Sequence, residues 1–195
     1  MINCRKKRCA DKFILGFLLF LFIFAIATTV VAQEMSLFSF GKGKTQIRLY
    51  ADYFCGPCRN LEPKIEYLIS DLVKRDIITI IFIDAPFHKY SSLYAKYFLY
   101  ILNEKKEIGH ALKARSMLFE ASKNPIEEQE KLEAFIQNKG FKFKIFDAKP
   151  VFSVFQNYIR EDQLNATPTC VIINGKKKEA FHNGEDIVKA LEKLR

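Results

Sequence analysis

The chain of 195 residues has no tryptophan, three methionines and three histidines. The histidines, His88, His110 and His182, are scattered, so no histidine-rich metal motif is present. Cysteine is also scarce: of five, Cys4 and Cys9 lie in a basic head, leaving Cys55, Cys58 and Cys170 for the rest. Three is too few for a disulfide scaffold and odd for a fully paired one. There is no internal repeat and no low-complexity tract, which excludes solenoids and arrays. The formal net charge is +9, but Arg5, Lys6, Lys7, Arg8 and Lys12 against Asp11 put +4 of it in residues 1–32. The remaining +5 is spread along helical patterns instead of clustering, so no nucleic-acid partner is expected.

What is present is concentrated in Tyr53-Phe54-Cys55-Gly56-Pro57-Cys58-Arg59-Asn60-Leu61-Glu62-Pro63. An apolar, β-favouring run, Ile47–Tyr50, precedes it, and a helix-like pattern follows to about Ser70. The two cysteines therefore stand where a strand hands over to a helix. Unpaired backbone N–H groups and the helix dipole favour negative charge there. The thiolate is the reactive form of cysteine, so this position lowers the pKa of Cys55 and activates it. Two intervening residues let Cys58 reach back to Cys55 within one turn.

Residues 1–12 are a basic head, and Phe13–Ala32 is a run of 20 uncharged, mostly apolar residues. At about 1.5 Å per residue such a run just crosses a bilayer. It reads as a cleaved signal peptide or an N-terminal membrane anchor, and either sends the remainder out of the cytoplasm. Disulfides form and persist there. Residues 33–44 read as a linker.

Thr45–Ala51 reads as a strand, Pro57–Ser70 as a helix kinked at Pro63, and Ile77–Asp84 as a strand buried on both faces. That is a βαβ unit. From Pro86 to about Gly140 the pattern is helical: Ser91–Asn103, Lys105–Ser122 and Pro125–Lys139, with Asn124 as an N-cap and Gly140 as a stop. Another helix runs from Asp147 or Pro150 to about Gln163. Thr169–Asn174 and Glu179–His182 form a hairpin on Asn174-Gly175, and Glu185–Leu194 is an amphipathic helix.

Ala166-Thr167-Pro168-Thr169 sets proline at the start of a sheet strand, where it is normally unwelcome. A cis bond before Pro168 resolves the conflict. The order βαβ, helical block, αββα, with Cys-Gly-Pro-Cys and Thr-Pro-Thr, resembles the thioredoxin superfamily and its DsbA-like branch. Asp52-Tyr53-Phe54-Cys55, Cys58-Arg59, and Pro86 followed by Ser91 and Ala95 are similar to that branch too. The resemblance spans residues 45–195.

It implies an α/β thioredoxin fold with an inserted α-helical subdomain at about 86–146. It implies that Cys55 is the nucleophile, that Cys58 is the buried resolving cysteine, and that Thr167 and Pro168 hold a substrate backbone as an added strand. The implied activity is thiol–disulfide exchange with exported proteins, with no organic cofactor and no metal. The implied partners are unfolded or reduced exported proteins and a membrane redox protein that recycles the dithiol. A monomer in the periplasm, or otherwise outside the cytoplasm, is expected.

Departures bear on direction. DsbA-like oxidases carry Pro-His between the cysteines, whereas Gly56-Pro57 supplies no side-chain donor, which points to a weaker oxidant. Leu49 stands where the family places a buried acid, and Phe54 replaces thioredoxin's tryptophan. The leading reading is an oxidase that forms disulfides in secreted proteins. A thioredoxin-like reductase or isomerase, and a non-enzymatic peptide-binding module, are the alternatives.

Several of these residues also admit blander roles. Cys55 and Cys58 supply half of the four ligands a structural zinc site needs. As an inert disulfide, a two-residue loop would constrain little chain entropy. Cys170 reads as a packed strand residue, His88 as a surface or capping histidine, and Phe141, Phe143, Phe146, Phe152 and Phe155 as core.

Overall fold

The computed structural model describes residues 38–195. The basic head, the apolar run at 13–32 and Cys4 and Cys9 lie outside them. Among the described residues, no helix is long and apolar enough to cross a membrane.

The centre is the expected βαβ unit: β2 (Thr45–Ala51), α1 (Gly56–Lys74) and β3 (Ile78–Asp84). β2 and β3 pair in parallel from Thr45↔Ile78 to Ala51↔Asp84. The β-branched run of β3 is buried along nearly its whole length, because sheet neighbours flank both its edges and helices cover it. Helix α1 passes through Pro63 and ends at Lys74, beyond the expected Ser70. Its apolar residues Leu61, Ile65, Leu68, Ile69 and Leu72 recur at helical spacing and are buried.

Four helices follow: α2 (Ser91–Glu104), α3 (Ile108–Ala121), α4 (Gln129–Asn138) and α5 (Lys149–Glu161). The chain then returns as β4 (Thr169–Asn174), β5 (Lys177–Phe181) and α6 (Gly184–Glu192). β4 lies antiparallel to β2, and β5 antiparallel to β4. The hairpin turns on Gly175 at φ +59°, a left-handed conformation glycine adopts without steric cost. Asn183 caps α6 by accepting the Asp186 N–H at 2.9 Å.

Three expectations are corrected. Residues 33–44 are not all linker: Ser39–Phe40 form β1, antiparallel to β3, giving the sheet order β1-β3-β2-β4-β5. Gly43 N–H donates to Ile78 O at 3.2 Å, and the Thr79 hydroxyl donates to Gly43 O at 2.9 Å. A Cβ on Gly41 would stand 2.2 Å from Ile78 O, so this stretch lies hard against the β3 backbone.

Second, α4 begins at Gln129 with Glu128 as its N-cap, not at Pro125 behind Asn124. The Ile126 N–H donates instead to the Tyr94 hydroxyl at 2.9 Å, which draws this segment onto α2. Third, of the five phenylalanines expected in the core, only Phe155 is buried. Phe143 and Phe146 lie half-buried, edge-on to Tyr97 and Tyr100 on α2, and Phe141 lies against His110. They seal the outer side of the helical block.

Candidate active site

Strand β2 ends at Ala51 and α1 starts at Gly56, so Asp52–Cys55 form the turn between them. Cys55 N–H donates to Asp52 O at 3.0 Å, closing that turn, and Cys55 becomes the N-cap of α1. Pro57 occupies the first helical turn, where its missing N–H costs nothing. The Cys55 sulfur accepts the Cys58 N–H at 3.3 Å, so the first cysteine sits on the open donors of the helix. Both cysteines are buried and present as free thiols.

Their acidities are pushed apart. Cys55 falls to about 6: a hydrogen bond from the Cys58 side chain is the strongest cause, opposed by burial and aided by Thr167 and the Cys58 N–H. Negative charge on Asp52 works against it. Cys58 is raised far above the ordinary thiol range, first by its bond to Cys55 and then by burial. One sulfur is therefore prepared as a thiolate and the other is held protonated.

The peptide bond between Thr167 and Pro168 is cis, as the position of Pro168 predicts. This loop faces the cysteines, and the Cys55 thiol donates to Thr167 O at 3.2 Å. Pro168 is buried and Thr167 half-buried. The structure thus brings Cys55, Cys58, Thr167 and Pro168 together. Cys170, two residues further on, is fully buried opposite Leu49 in the ladder, and burial pushes its thiol up to about 12.

Two features escaped the sequence reading. The first is a hub on Asp52, whose carboxylate is buried beneath the turn. It accepts N–H bonds from Phe54 (2.8 Å), Phe87 (2.7 Å) and His88 (3.2 Å), the Ser91 hydroxyl (2.7 Å), and His88 Nδ1 at 3.0 Å. His88, read as a surface or capping residue, therefore stands beside the active-site turn. Phe54, against the rings of His88, Tyr90 and Tyr94, together with the half-exposed Phe87, gives this rim an aromatic face. An aspartate three residues before a cysteine and a serine five residues after a proline were the visible signals.

The second is a buried ionic cluster beneath the same turn. Arg115 on α3, wholly inaccessible, forks onto Glu62 of α1 at 2.6 and 3.0 Å and reaches Asp84 at 3.5 Å. Burial pushes Asp84 up to about 7 against the pull of Arg115. The guanidinium also lies over the Phe82 ring at 4.6 Å. Leu49, where an acid was expected, is buried among apolar groups, so the carboxylates here enter from α1 and β3.

The sheet order, the cis-proline loop opposite a Cys-x-x-Cys N-cap and the helical block define a thioredoxin fold of the DsbA-like type. A family model described as thioredoxin matches residues 41–193, and the chain belongs to that family. Among solved structures, alpha-DsbA1 of Wolbachia pipientis is similar at a TM-score of 0.60 and 14% identity, over 80% of this chain and 89% of that one. BdbD of Bacillus subtilis gives 0.55 and 18%, over 82% and 92%. A periplasmic thioredoxin-like protein of Salmonella enterica serovar Typhimurium gives 0.59 and 19%, over 85% and 96%. At these identities the likeness concerns the fold. No curated protein matches the chain in sequence.

Proposed function

We propose that the protein is an exported thiol–disulfide oxidoreductase that forms disulfides in secreted proteins, using Cys55 and Cys58 as its redox pair. The observation that carries this is the opposed acidity of two cysteines at one helix N-terminus, with the nucleophilic sulfur against the cis-proline loop. In the oxidising direction, a substrate thiolate attacks the Cys55 sulfur of the disulfide. The Cys55–Cys58 bond breaks, its electron pair goes to Cys58, and Cys58 takes up a proton. A second substrate thiolate then attacks the substrate sulfur of the mixed disulfide and releases Cys55 as a thiolate. Two electrons have moved to the enzyme, and the substrate holds one disulfide.

A stable leaving thiolate favours this direction. A Cys55 that titrates near 6 stabilises the dithiol form and makes the disulfide the stronger oxidant, even with Gly56-Pro57 between the cysteines. Thr167 and Pro168 are the surface along which a substrate backbone lies. The basic head and apolar run support export or tethering, and a membrane redox protein would reoxidise the pair.

The test is the reduction potential of Cys55–Cys58, titrated against glutathione buffers. The expected value lies well to the oxidising side of thioredoxin's, roughly −270 mV. A thioredoxin-like value would make the protein a reductase or isomerase, and failure to form the disulfide would remove the enzymatic reading.

A further inference from the structure

Positive charge that is scattered along the sequence is gathered by the topology at one end of the molecule. β2 and β3 run in parallel from Thr45 and Ile78 toward the cysteine turn. The opposite end of the sheet is therefore where Thr45 and Ile78 begin, and the loop before β2 sets Lys42 and Lys44 there, with Gly43 N–H on Ile78 O. β4 runs down antiparallel to β2, with Ile173 facing Gln46, so the hairpin turn with Lys176 reaches the same end. Helix α2 starts at Ser91, bonded to Asp52, and descends to Lys105 and Lys106, whose amine lies 5.8 Å from the centre of the Phe40 ring. Helix α3 climbs back and finishes at Ser122, which donates to Tyr53 O. His110, in the first turn of α3, is thus at the far end, and the Phe141 ring 5.2 Å from it brings Lys139 and Lys142 there too.

Six of these side chains, Lys42, Lys44, Lys106, Lys139, Lys142 and Lys176, are exposed and have no ion-pair partner among the described residues. The acids at this end are partly engaged already: Glu107 holds Lys105 at 3.2 Å, and Asp71 holds Arg75 at 3.1 Å and Arg195 at 3.2 Å. Asp76, Glu104 and Glu192 remain, half the number of the lysines. The dithiol end has no such excess. Lys123 is paired with Glu120, Lys89 lies over the Tyr90 ring and faces Glu127, and Arg59 is bonded to Ser122. Lys64 shares a cleft with Glu185 and Asp186.

We propose that this basic pole is a docking surface for an anionic lipid bilayer, on which the molecule stands with Cys55 and Cys58 turned away from the lipid. This goes beyond the redox reading and rests on the part of it that has the chain exported or tethered. An anionic surface attracts each lysine close to it, and the attraction fades within a Debye length, about 8 Å at physiological ionic strength. The six are all lysines, point charges without the planar fork by which arginine reads individual phosphates, so they suit a continuous charged plane. They also come from four separate connections that the fold sets at one level.

The length of chain ahead of the sheet favours a membrane over a soluble polyanion. An apolar run at 13–32 retained in a bilayer leaves the six residues Gln33 to Phe38 before β1, at most about 20 Å of extended chain. Phe38 O accepts the Phe82 N–H at 3.2 Å, four positions along β3 from Ile78 and so about 13 Å above the basic end. The connection is long enough for that end to rest on the lipid.

The full-length protein is incorporated into bilayers of phosphatidylcholine alone or with about 30% phosphatidylglycerol, and acylation of each lysine is followed by mass spectrometry. On the anionic bilayer Lys42, Lys142 and Lys176 should react at least about fivefold more slowly than on the neutral one, and Lys89 and Lys123 at the same rate on both. Salt at about 1 M, which shortens the Debye length to about 3 Å, should remove the difference. Lys142→Glu combined with Lys176→Glu should return Lys42 to its neutral-bilayer rate, while the dithiol still exchanges with glutathione.

Equal rates at the pole on both bilayers, or slowing confined to Lys89 and Lys123, overturn the proposal. Protection of the pole by heparin and not by the anionic bilayer overturns it as well, and assigns the surface to a soluble polyanion. Flotation with the neutral bilayer reports tethering by the apolar run separately. A failed tether is thereby told apart from a failed pole, and the lysine rates with excess anionic vesicles still decide the proposal.

Discussion

The Cys55 thiol donates to the carbonyl oxygen of Thr167, 3.2 Å away, so two residues 112 apart in sequence meet at one point of the active site. That contact belongs to the protonated thiol: as Cys55 ionises, near pH 6, its S–H is gone and the Thr167 carbonyl loses this donor.

The first prediction concerns trapping. Cys58→Ser should accumulate mixed disulfides through Cys55 when mixed with a reduced, unfolded substrate in the presence of oxidised glutathione. Cys55→Ser should give none, since Cys58 is buried out of reach of a substrate disulfide. Non-reducing gels read the difference, and equal trapping by both variants would reverse the assigned roles.

A second prediction follows from linkage. The folded-state pKa of Cys55, about 6, lies below that of an unfolded thiol. Its contribution to stability of the dithiol form is therefore fully present above the unfolded value, about 8.5, and is lost as pH falls through 6. Urea unfolding of the reduced native protein and of Cys55→Ala from pH 5 to 9 should show the native-minus-variant difference rising with pH over this window, while the opposing contribution of the raised Asp84 is common to both proteins.

Arg115 gives a third. Replacing it with Met strands Glu62 and Asp84 as buried carboxyls without a counter-charge and should cost about 3–5 kcal/mol. The triple change Arg115→Met, Glu62→Gln, Asp84→Asn removes the charges together and should come within about 2 kcal/mol of native. Denaturant midpoints measure both. A single variant as stable as native would mean that Arg115 contributes little to holding the fold.

Phe38 gives a fourth. It is fully buried, edge-on to Phe155 with ring centroids 4.8 Å apart. Phe38→Ala should cost about 3 kcal/mol, a loss that a residue in a linker would not produce. Thermal or chemical unfolding checks it.

Cys170→Ala gives the fifth. The thiol is sealed in the ladder opposite Leu49 and its acidity is suppressed by burial. Turnover with a reduced substrate should be unchanged, and a loss would assign it a redox role.

The βαβ unit, the cysteine turn and the Thr167-Pro168 loop were legible because each is written in local signals: β-branched runs, a helix behind a Cys-Gly-Pro-Cys, a proline at a strand start. Strand β1 was not, since two residues carry no periodicity and Gly41-Lys42-Gly43-Lys44 has the composition of a linker. The start of α4 depends on where the Tyr94 hydroxyl lies, which no local rule supplies. The same holds for the hub and the buried cluster. Asp52 meets His88 across 36 residues, and Arg115 meets Glu62 across 53, so only the tertiary fold shows that these polar groups are partners.

The two outer strands close the sheet to company. On one side β1 offers a two-residue edge; on the other, β5 presents Lys177, Lys178 and Glu179 to solvent. Short or charged borders of this kind resist recruitment of a further strand. An extended polypeptide therefore meets a short or charged hem on either flank, which turns aside strand pairing along the borders and leaves the seat we propose for it, Thr167-Pro168, without that competition.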